Sequence, residues 1–192
     1  MDVTPTRLQG EMLVLEPLRP EHAPELYPLA EPGIFSHTLD WPADGSREAF
    51  EAWLERCLAA PASLDFVLRL RETGEPVGGS AFLEIRPAHR GLEIGRTWIA
   101  RRWQGTRANP ESKYLLLRHA FEVLGAVRVQ FKTDVNNLHS QRAIEKLGGR
   151  REGVLRRYQM RANGSFRDTV MYSITDGEWP EVKAGLEARL AR

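Results

Sequence analysis

Residues 92–125 read LEIGRTWIARRWQGTRANPESKYLLLRHAFEVLG, and three successive patterns in this stretch decide the fold. The first pattern is that of a β-strand, carried by the apolar residues Leu92, Ile94, Trp98 and Ile99. Gly95 interrupts the alternation of this strand, which predicts a β-bulge or a close approach of another backbone. The second pattern, after Ala100, is a short basic loop that contains Gly105.

The third pattern is a helix. Asn109 is predicted to be its N-cap, Pro110 its first residue and Glu111 an acid of its first turn. Apolar residues then recur at helical spacing, at Leu116, Leu117, Ala120, Phe121 and Leu124. Gly125 is the predicted stop. The order is therefore strand, glycine-containing basic loop, helix N-terminus.

A helix N-terminus offers unpaired N–H groups and the positive end of the helix dipole, so it binds phosphate or another anion readily. Arg101, Arg102 and Arg107 in the loop, and Lys113 one turn into the helix, add positive side-chain charge. The stretch thus suits a pyrophosphate site. An ordinary strand–helix connection with solvated arginines explains the same residues, because a single glycine matches neither a Walker loop nor a dinucleotide fingerprint.

The bulk properties indicate one soluble globular domain over residues 1–192. The chain is 42% hydrophobic and 28% charged, and no apolar run approaches the roughly 20 residues that cross a bilayer, so we expect no membrane partner. The N-terminus does not resemble a signal peptide. The single cysteine, Cys57, excludes an internal disulfide and a cysteine-based zinc site, and it sits on an apolar helix face. A cytoplasmic location is the default expectation.

Charge is distributed unevenly along the chain. Residues 1–85 hold 6 basic and 15 acidic side chains, whereas residues 86–167 hold 18 basic and 6 acidic side chains. The basic middle includes the proposed phosphate loop. Nucleic acid would favour such a segment, and so would a small polyanionic ligand.

The remaining patterns predict a mixed sheet. Three antiparallel strands precede the decisive stretch, and the strand after its helix is expected to lie parallel to the strand before it. Predicted strands cover residues 12–17, 66–70, 77–85, 127–133, 153–161 and 166–174, with helices at 20–30, 47–58, 138–147 and 176–192. Segment 31–46 is the predicted lid or substrate wall, because it is long and holds His37 and Trp41.

The decisive feature follows the strand at 127–133. It is the series Asn137-x-x-Ser140-x-x-Ala143-x-x-Lys146-x-Gly148. Together with the strand–Gln104-Gly105–helix unit, this series resembles the GNAT superfamily of acetyl-CoA-dependent N-acetyltransferases. Within that superfamily the chain looks most like the group of the ribosomal-protein acetyltransferases RimJ and RimL. The resemblance covers nearly the whole chain and implies an α+β fold with a central, mixed, mostly antiparallel sheet of about seven strands.

The resemblance also implies a site for acetyl-CoA. The strands ending near Ala100 and beginning near Val127 would splay apart around the acyl-CoA tail. The backbone of Trp98, Ile99 and Ala100 would bind the pantetheine arm and polarise the thioester carbonyl. Asn137 would contact the co-substrate, and Ser140 would lie near its sulfur. The loop residues implied to hold the pyrophosphate are Gln104, Gly105, Thr106, Arg107, Ala108 and Asn109. A homodimer is also implied.

Two positions depart from the family pattern. Arg107 stands where the family has a second small residue, and it can either contact phosphate or block the approach of acyl-CoA. Ile144 stands where many members carry a tyrosine that protonates the departing thiolate. Ser140 is then the candidate proton donor, directly or through water.

An amine attacks a thioester only when it is neutral, so a base must remove a proton from an ammonium. Glu93 is the candidate base, acting through water; pairing with a nearby arginine such as Arg96 is the structural alternative. His37 and His89 are other candidate bases, and His139 could line the co-substrate channel. No His or carboxylate spacing suggests a metal, so none is expected.

Three functions follow from these features. The first is transfer of an acetyl group to a primary amine, either a protein N-terminus or a small molecule. The second is a non-catalytic acyl-CoA sensor on the same fold. The third and least favoured is a nucleic-acid-binding module, which predicts salt-sensitive association with DNA or RNA and no CoA binding.

Overall fold

The computed structural model describes residues 1–31, 33–39, 41 and 45–191. Its centre is a sheet of eight strands in the order β1-β2-β3-β4-β5-β6-β8-β7, in which only the β5–β6 pair is parallel. The strands are β1 (Leu8–Gln9), β2 (Leu13–Pro17), β3 (Leu64–Leu70), β4 (Pro76–Arg86), β5 (Gly91–Ile99), β6 (Arg128–Asp134), β7 (Arg150–Met160) and β8 (Phe166–Thr175). The predicted mixed sheet is confirmed. β1 was not predicted, because two residues carry no pattern.

Five α-helices flank the sheet in the described residues, together with short 3₁₀ turns and a π-helical turn over His119–Val123. The α-helices are α1 (Ala23–Leu26), α2 (Arg47–Ala59), α3 (Ala108–Arg118), α4 (Leu138–Lys146) and α5 (Trp179–Leu190). Ser46 caps α2, since its hydroxyl accepts the N–H of Ala49 at 3.2 Å. None of the described helices combines the length and the apolar composition that crossing a membrane requires.

The two faces of the sheet carry separate hydrophobic clusters. α3, α4 and α5 contribute residues such as Leu116, Ile144 and Trp179 to one cluster. α1 and α2 contribute to the other, where Phe50 is fully buried and Cys57 is 3% exposed. Burial of a side chain such as Phe50 contributes about 2–3 kcal/mol. The predicted position of Cys57 on an apolar helix face is confirmed.

A wedge opens between the two parallel strands. β5 and β6 pair only over three residues, from Gly91 with Arg128 to Glu93 with Gln130. Beyond this point β5 continues along β4, whereas β6 continues along β8 as far as Asp134. The two strands therefore leave a gap between them that widens toward their carboxyl ends, as the resemblance implied.

A β-bulge lies beside the wedge. The β4–β5 register shifts between Gly79 and Ala81, and Arg96 has a φ of +46°. The extra residue confirms the interruption predicted at Gly95. Close packing explains the glycine at position 78 of β4, because a Cβ atom there would lie 2.1 Å from the carbonyl oxygen of Trp98.

Candidate active site

The loop between β5 and α3 leaves a row of backbone donors free. No acceptor among the described residues takes the N–H groups of Gly105, Thr106, Arg107 or Asn109. Gly105 has a φ of +76°, a conformation that an L-residue adopts only at a cost, and the space around its missing Cβ is open. Successive N–H groups at a helix N-terminus form a concavity that suits a diphosphate.

The predicted start of α3 is wrong by two residues. The helix begins at Ala108 rather than after an N-cap at Asn109. The hydroxyl of Thr106 accepts the N–H of Ala108 at 3.2 Å and donates to the carbonyl of Trp103 at 2.7 Å. Thr106 thus does the capping that the sequence assigned to Asn109, and the N–H of Ala108 is not free for a ligand.

A pocket of about 270 Å³ lies against this loop and is lined by Gly105, Thr106, Arg107, Pro110, Arg189 and Leu190. Arg189 comes from the last turn of α5 and was not predicted. Only the packing of α5 on α3 brings it here, and no local pattern indicates that contact. Two guanidinium groups and the free N–H groups together fit the charge and donor geometry of a diphosphate.

The arginines of the loop face outward. Arg101 pairs with Glu31 at 3.4 Å, Arg102 pairs with Glu75, and Arg107 pairs with Glu11 at 2.9 Å. These exposed pairs contribute little to stability, and a phosphate group can replace the carboxylates. Because Arg107 points to Glu11, it does not plug the wedge.

The prediction for Lys113 is wrong. Its ammonium does not add charge to the loop, because the side chain is buried at 6% exposure under β4 and β5. The Nζ atom donates to Ser80 Oγ at 3.1 Å and to Thr97 Oγ1.

Only one of the three predicted pantetheine contacts directs its backbone into the wedge. The N–H of Ala100 donates to the carbonyl of Val77 at 2.9 Å, and its carbonyl accepts from the N–H of Trp103. The N–H and C=O groups of successive residues point to opposite sides of a strand. The backbone groups of Trp98 therefore point to β4 as well, whereas those of Ile99 point into the wedge. Gln104 Nε2 donates to the carbonyl of Ile99 at 2.9 Å, which leaves the Ile99 N–H directed at the wedge.

Asn137 and Ser140 lie on the opposite wall, where β6 leads into α4. The side chain of Asn137 is the N-cap of α4, accepting the N–H of Ser140 at 3.0 Å. The Ser140 side chain is half-buried, and its hydroxyl makes no hydrogen bond to another described residue. Ile144, in the place of the family tyrosine, is buried in the core. Asn137 therefore has a structural role besides any contact with a co-substrate.

Glu93 sits where the wedge begins. It is 4% exposed, and its Oε2 lies 2.9 Å from Lys132 Nζ and 3.4 Å from Gln130 Nε2. Arg96 is not its partner: Arg96 pairs with Asp65 at 2.7 Å. Burial raises the pKa of the Glu93 carboxyl above its ordinary value, against the opposing effect of Lys132. A raised pKa brings a carboxylate closer to the range in which a base works near neutral pH.

The described residues of segment 31–46, the predicted substrate wall, contact both the core and the β7–β8 hairpin. Trp41 is half-buried, and its ring stacks on Phe35 at 3.7 Å between centroids. The carbonyl of Leu39 accepts the N–H of Ala162 at 2.9 Å, so segment 31–46 touches the turn of the β7–β8 hairpin. His37 is exposed on this segment. Positions 32, 40 and 42–44 of the segment lie outside the described residues.

The other two histidines that the sequence singled out, His89 and His139, occupy different places. His89 lies in the turn before β5, at the end where β5 and β6 are paired, so it is remote from the open part of the wedge. His139 is exposed on the first turn of α4, next to Ser140.

We expect Asn137→Ser to weaken acetyl-CoA binding about fivefold, because serine keeps the helix cap but lacks the amide donor. Stability should stay within about 0.5 kcal/mol of wild type. Calorimetric titration with acetyl-CoA and urea unfolding measure the two effects. Asn137→Ala should lose both affinity and about 1 kcal/mol of stability. An unchanged affinity in Asn137→Ser would remove Asn137 from the co-substrate site.

Residues 12–150 match the family model described as an acetyltransferase (GNAT) domain. The match covers the wedge, the Gly105 loop and α4. The chain belongs to the GNAT acetyltransferase family.

Known relatives agree with this assignment. A solved protein from T. thermophilus, described as an acetyltransferase, is 44% identical, with 99% of this chain and 100% of that chain covered and a TM-score of 0.92. The uncharacterised N-acetyltransferase YoaA of Bacillus subtilis (strain 168) is 36% identical over 104 residues, which are 54% of this chain and 58% of YoaA. The chain thus matches less than two thirds of the length of this curated relative.

The fold alone is shared with a more distant protein. Mycobacterium smegmatis RimJ, solved in complex with CoA-disulfide, is 24% identical, with 97% of this chain and 93% of that chain covered and a TM-score of 0.74.

Proposed function

We propose that this protein transfers an acetyl group from acetyl-CoA to a primary amine, by direct attack of the amine on the thioester. The observation that carries the proposal is the wedge between β5 and β6, which leads from the free N–H groups at Gly105 to the buried carboxylate of Glu93. Membership of the GNAT family supports it. Acetyl-CoA supplies an activated acyl group, and the chain supplies binding, orientation and proton transfer.

The residues divide these tasks. Gly105, Thr106, Arg107 and Asn109 hold the diphosphate through backbone N–H groups, and Arg189 adds charge. The N–H of Ile99 is aimed at the wedge, where it can donate to a carbonyl oxygen and stabilise negative charge that develops on it.

Glu93 acts as the base in this proposal. The face of the sheet that carries Glu93 and the Trp98 ring is the one beneath α2, Phe35 and Trp41, on the side away from α3. An amine that enters on this face meets Glu93 at the narrow end of the wedge. The carboxylate takes the proton from the ammonium, through water, before attack.

We also propose a class of acceptor, a subgroup within the family and an oligomeric state. A likeness in fold to RimJ supports a RimJ/RimL-like protein N-terminus as acceptor, and a small amine is the competing choice. Exposed apolar side chains on the β7–β8 hairpin support a homodimer: Val154, Leu155, Tyr158, Met160 and Phe166. A cytoplasmic location remains a prediction. Sedimentation equilibrium and fractionation of cells test the last two.

Two measurements in sequence test the proposed function. The protein is first titrated with acetyl-CoA, and the release of free thiol is then followed over a panel of amines that includes peptides with free N-termini. We expect binding and amine-dependent thiol release. Binding without release from any amine would support the acyl-CoA sensor instead. Failure to bind acetyl-CoA, with salt-sensitive binding to RNA or DNA, would contradict both.

A further inference from the structure

Lys113 is a buried amine that the proposed function leaves without a task. None of the ion pairs among the described residues includes it, and it is held by two hydroxyl groups, Ser80 Oγ and Thr97 Oγ1. Burial alone lowers the pKa of the Lys113 ammonium to about 7. Burying an ammonium costs free energy unless the group is hydrogen-bonded and paired or gives up its charge.

The position of Thr97 connects this amine with the wedge. Thr97 follows the bulge in β5, on the part of the strand that has no β6 neighbour. Its side chain is exposed, whereas Lys113 and Ser80 beneath it are buried. The hydroxyls of Ser80 and Thr97 are 2.8 Å apart. A continuous hydrogen-bonded path thus runs from Lys113 Nζ to a hydroxyl on the wall of the wedge.

The charged groups on the neighbouring elements make no ion pair or hydrogen bond with Lys113 among the described residues. Arg96 and Asp65 pair with each other, and Glu93 pairs with Lys132 on the face away from α3. On α3 itself, Glu111 Oε1 accepts the N–H groups of Met12 and Leu13, and its buried Oε2 has no hydrogen-bond partner, Lys113 included, among the described residues. Nothing among these groups neutralises the ammonium or takes its proton.

We propose that Lys113, acting through the Thr97 hydroxyl, supplies the proton that the departing sulfur takes up when an acyl thioester is cleaved in the wedge. This inference rests on the proposed function. As the carbon–sulfur bond breaks, its electron pair goes to sulfur; the sulfur takes the hydroxyl proton of Thr97, and Thr97 takes a proton from Lys113 Nζ. Solvent then reprotonates the neutral amine.

Two comparisons favour this path. A thiol has an ordinary pKa of about 8.5, so a proton moves downhill to a thiolate from an ammonium whose pKa is about 7. Ser140, on the other wall, has a hydroxyl but no titratable group hydrogen-bonded to it among the described residues. Ser140 can orient the sulfur, whereas Thr97 is hydrogen-bonded to Lys113, which can replace the proton that Thr97 gives up. Lys113 is accordingly a positioning residue for Thr97 and the reservoir of its proton.

A binding measurement tests the inference without turnover. The pKa of Lys113 is followed by NMR on protein with ¹³C-labelled lysine, saturated with CoA or with desulfo-CoA. We expect a pKa higher with CoA than with desulfo-CoA by at least about half a unit. A sulfur that accepts the Thr97 hydroxyl proton leaves the Thr97 oxygen to accept from the ammonium, and this hydrogen bond favours the charged form of Lys113. The difference should vanish in Thr97→Val. Equal pKa values in the two wild-type complexes would overturn the proposal.

Turnover gives a second, independent readout. Thr97→Val should lower kcat about tenfold with acetyl-CoA at unchanged KM, and Thr97→Ser should restore it. The loss should be much smaller with an aryl thioester, whose thiolate leaves without a proton. In the pH–rate profile of the wild type, kcat should fall as the pH rises above about 7. The profile of Lys113→Met should lack this fall at high pH. Lys183→Met, at an exposed pair with Glu122, is the control expected to behave as wild type.

Three results would contradict the inference: equal losses in Thr97→Val with both thioesters, no rescue by serine, or a Lys113 that gains the mass of one acetyl group. The last would make the amine an acceptor. The proposed function fails separately, as an absence of acetyl-CoA binding or of amine-dependent thiol release in wild type.

Discussion

Glu93→Gln is expected to lower kcat by about 100-fold while leaving the affinity for acetyl-CoA within about twofold of wild type. General-base catalysis typically contributes 10²- to 10⁴-fold, and glutamine cannot accept the proton. The substitution keeps the size of the side chain, and Lys132 retains its contact with Glu84. Steady-state kinetics with a saturating amine, together with calorimetric titration, separate the two quantities.

The pH dependence makes the same test sharper. Burial raises the pKa of Glu93. Activity should therefore be present above that pKa and be lost as the pH falls through it. The loss should occur at a higher pH than it would for an exposed glutamate. Glu93→Gln should remove this acid limb. Lys132→Met should move the limb to higher pH, because the carboxylate loses its paired charge.

Asp65→Asn provides a matched control. Asp65 is also a buried sheet carboxylate, 9% exposed and paired with Arg96 at 2.7 Å. Its loss should cost about 3 kcal/mol of stability but leave the kcat of the folded protein unchanged. If Glu93→Gln behaves like Asp65→Asn, losing stability and retaining turnover, Glu93 is a structural residue.

Gly105→Val is expected to weaken acetyl-CoA binding about 30-fold. Gly105 has a φ of +76°, and a β-branched residue there costs roughly 2 kcal/mol or changes the loop conformation. A changed conformation displaces the row of free N–H groups, and restoring the conformation in the complex then takes this free energy from binding. Calorimetric titration with acetyl-CoA gives the affinity, and urea unfolding gives the stability.

Gly164→Val is the control for backbone strain. Gly164 has a φ of +79° in the β7–β8 turn, and a Cβ at either glycine meets no atom within 4 Å. The two variants should lose similar stability, and only Gly105→Val should lose affinity. Equal acetyl-CoA affinities in both would place the diphosphate somewhere other than the loop.

The sequence was informative wherever a feature depends on neighbours along the chain. Gly95 predicted the bulge, and the strands predicted at 153–161 and 166–174 form the last hairpin, because both features follow from residue preferences within a few positions. The family motifs around Gly105 and Asn137 predicted the wedge for a different reason: they carry information about a fold already known.

Features that depend on distant contacts were missed. Lys113 is a basic residue one turn from the loop, as a phosphate-binding lysine would be. Its position around the helix axis nevertheless directs the side chain beneath β4, where it contacts Ser80. Arg189 reaches the loop only because α5 packs on α3. The bond between Ala100 and Val77, which removes Ala100 from the pantetheine contacts, depends on strand register. No periodicity specifies such pairings.

Amide hydrogen exchange with and without acetyl-CoA tests the central claim most directly, since it reports binding along the whole backbone. We predict that saturating acetyl-CoA slows exchange at Ile99, over residues 105–109 and at the start of α4, and leaves the β7–β8 hairpin unchanged. Slowed exchange confined to the hairpin or to other surfaces, with Ile99 and the Gly105 loop unaffected, would contradict the claim that acyl-CoA lies between β5 and β6.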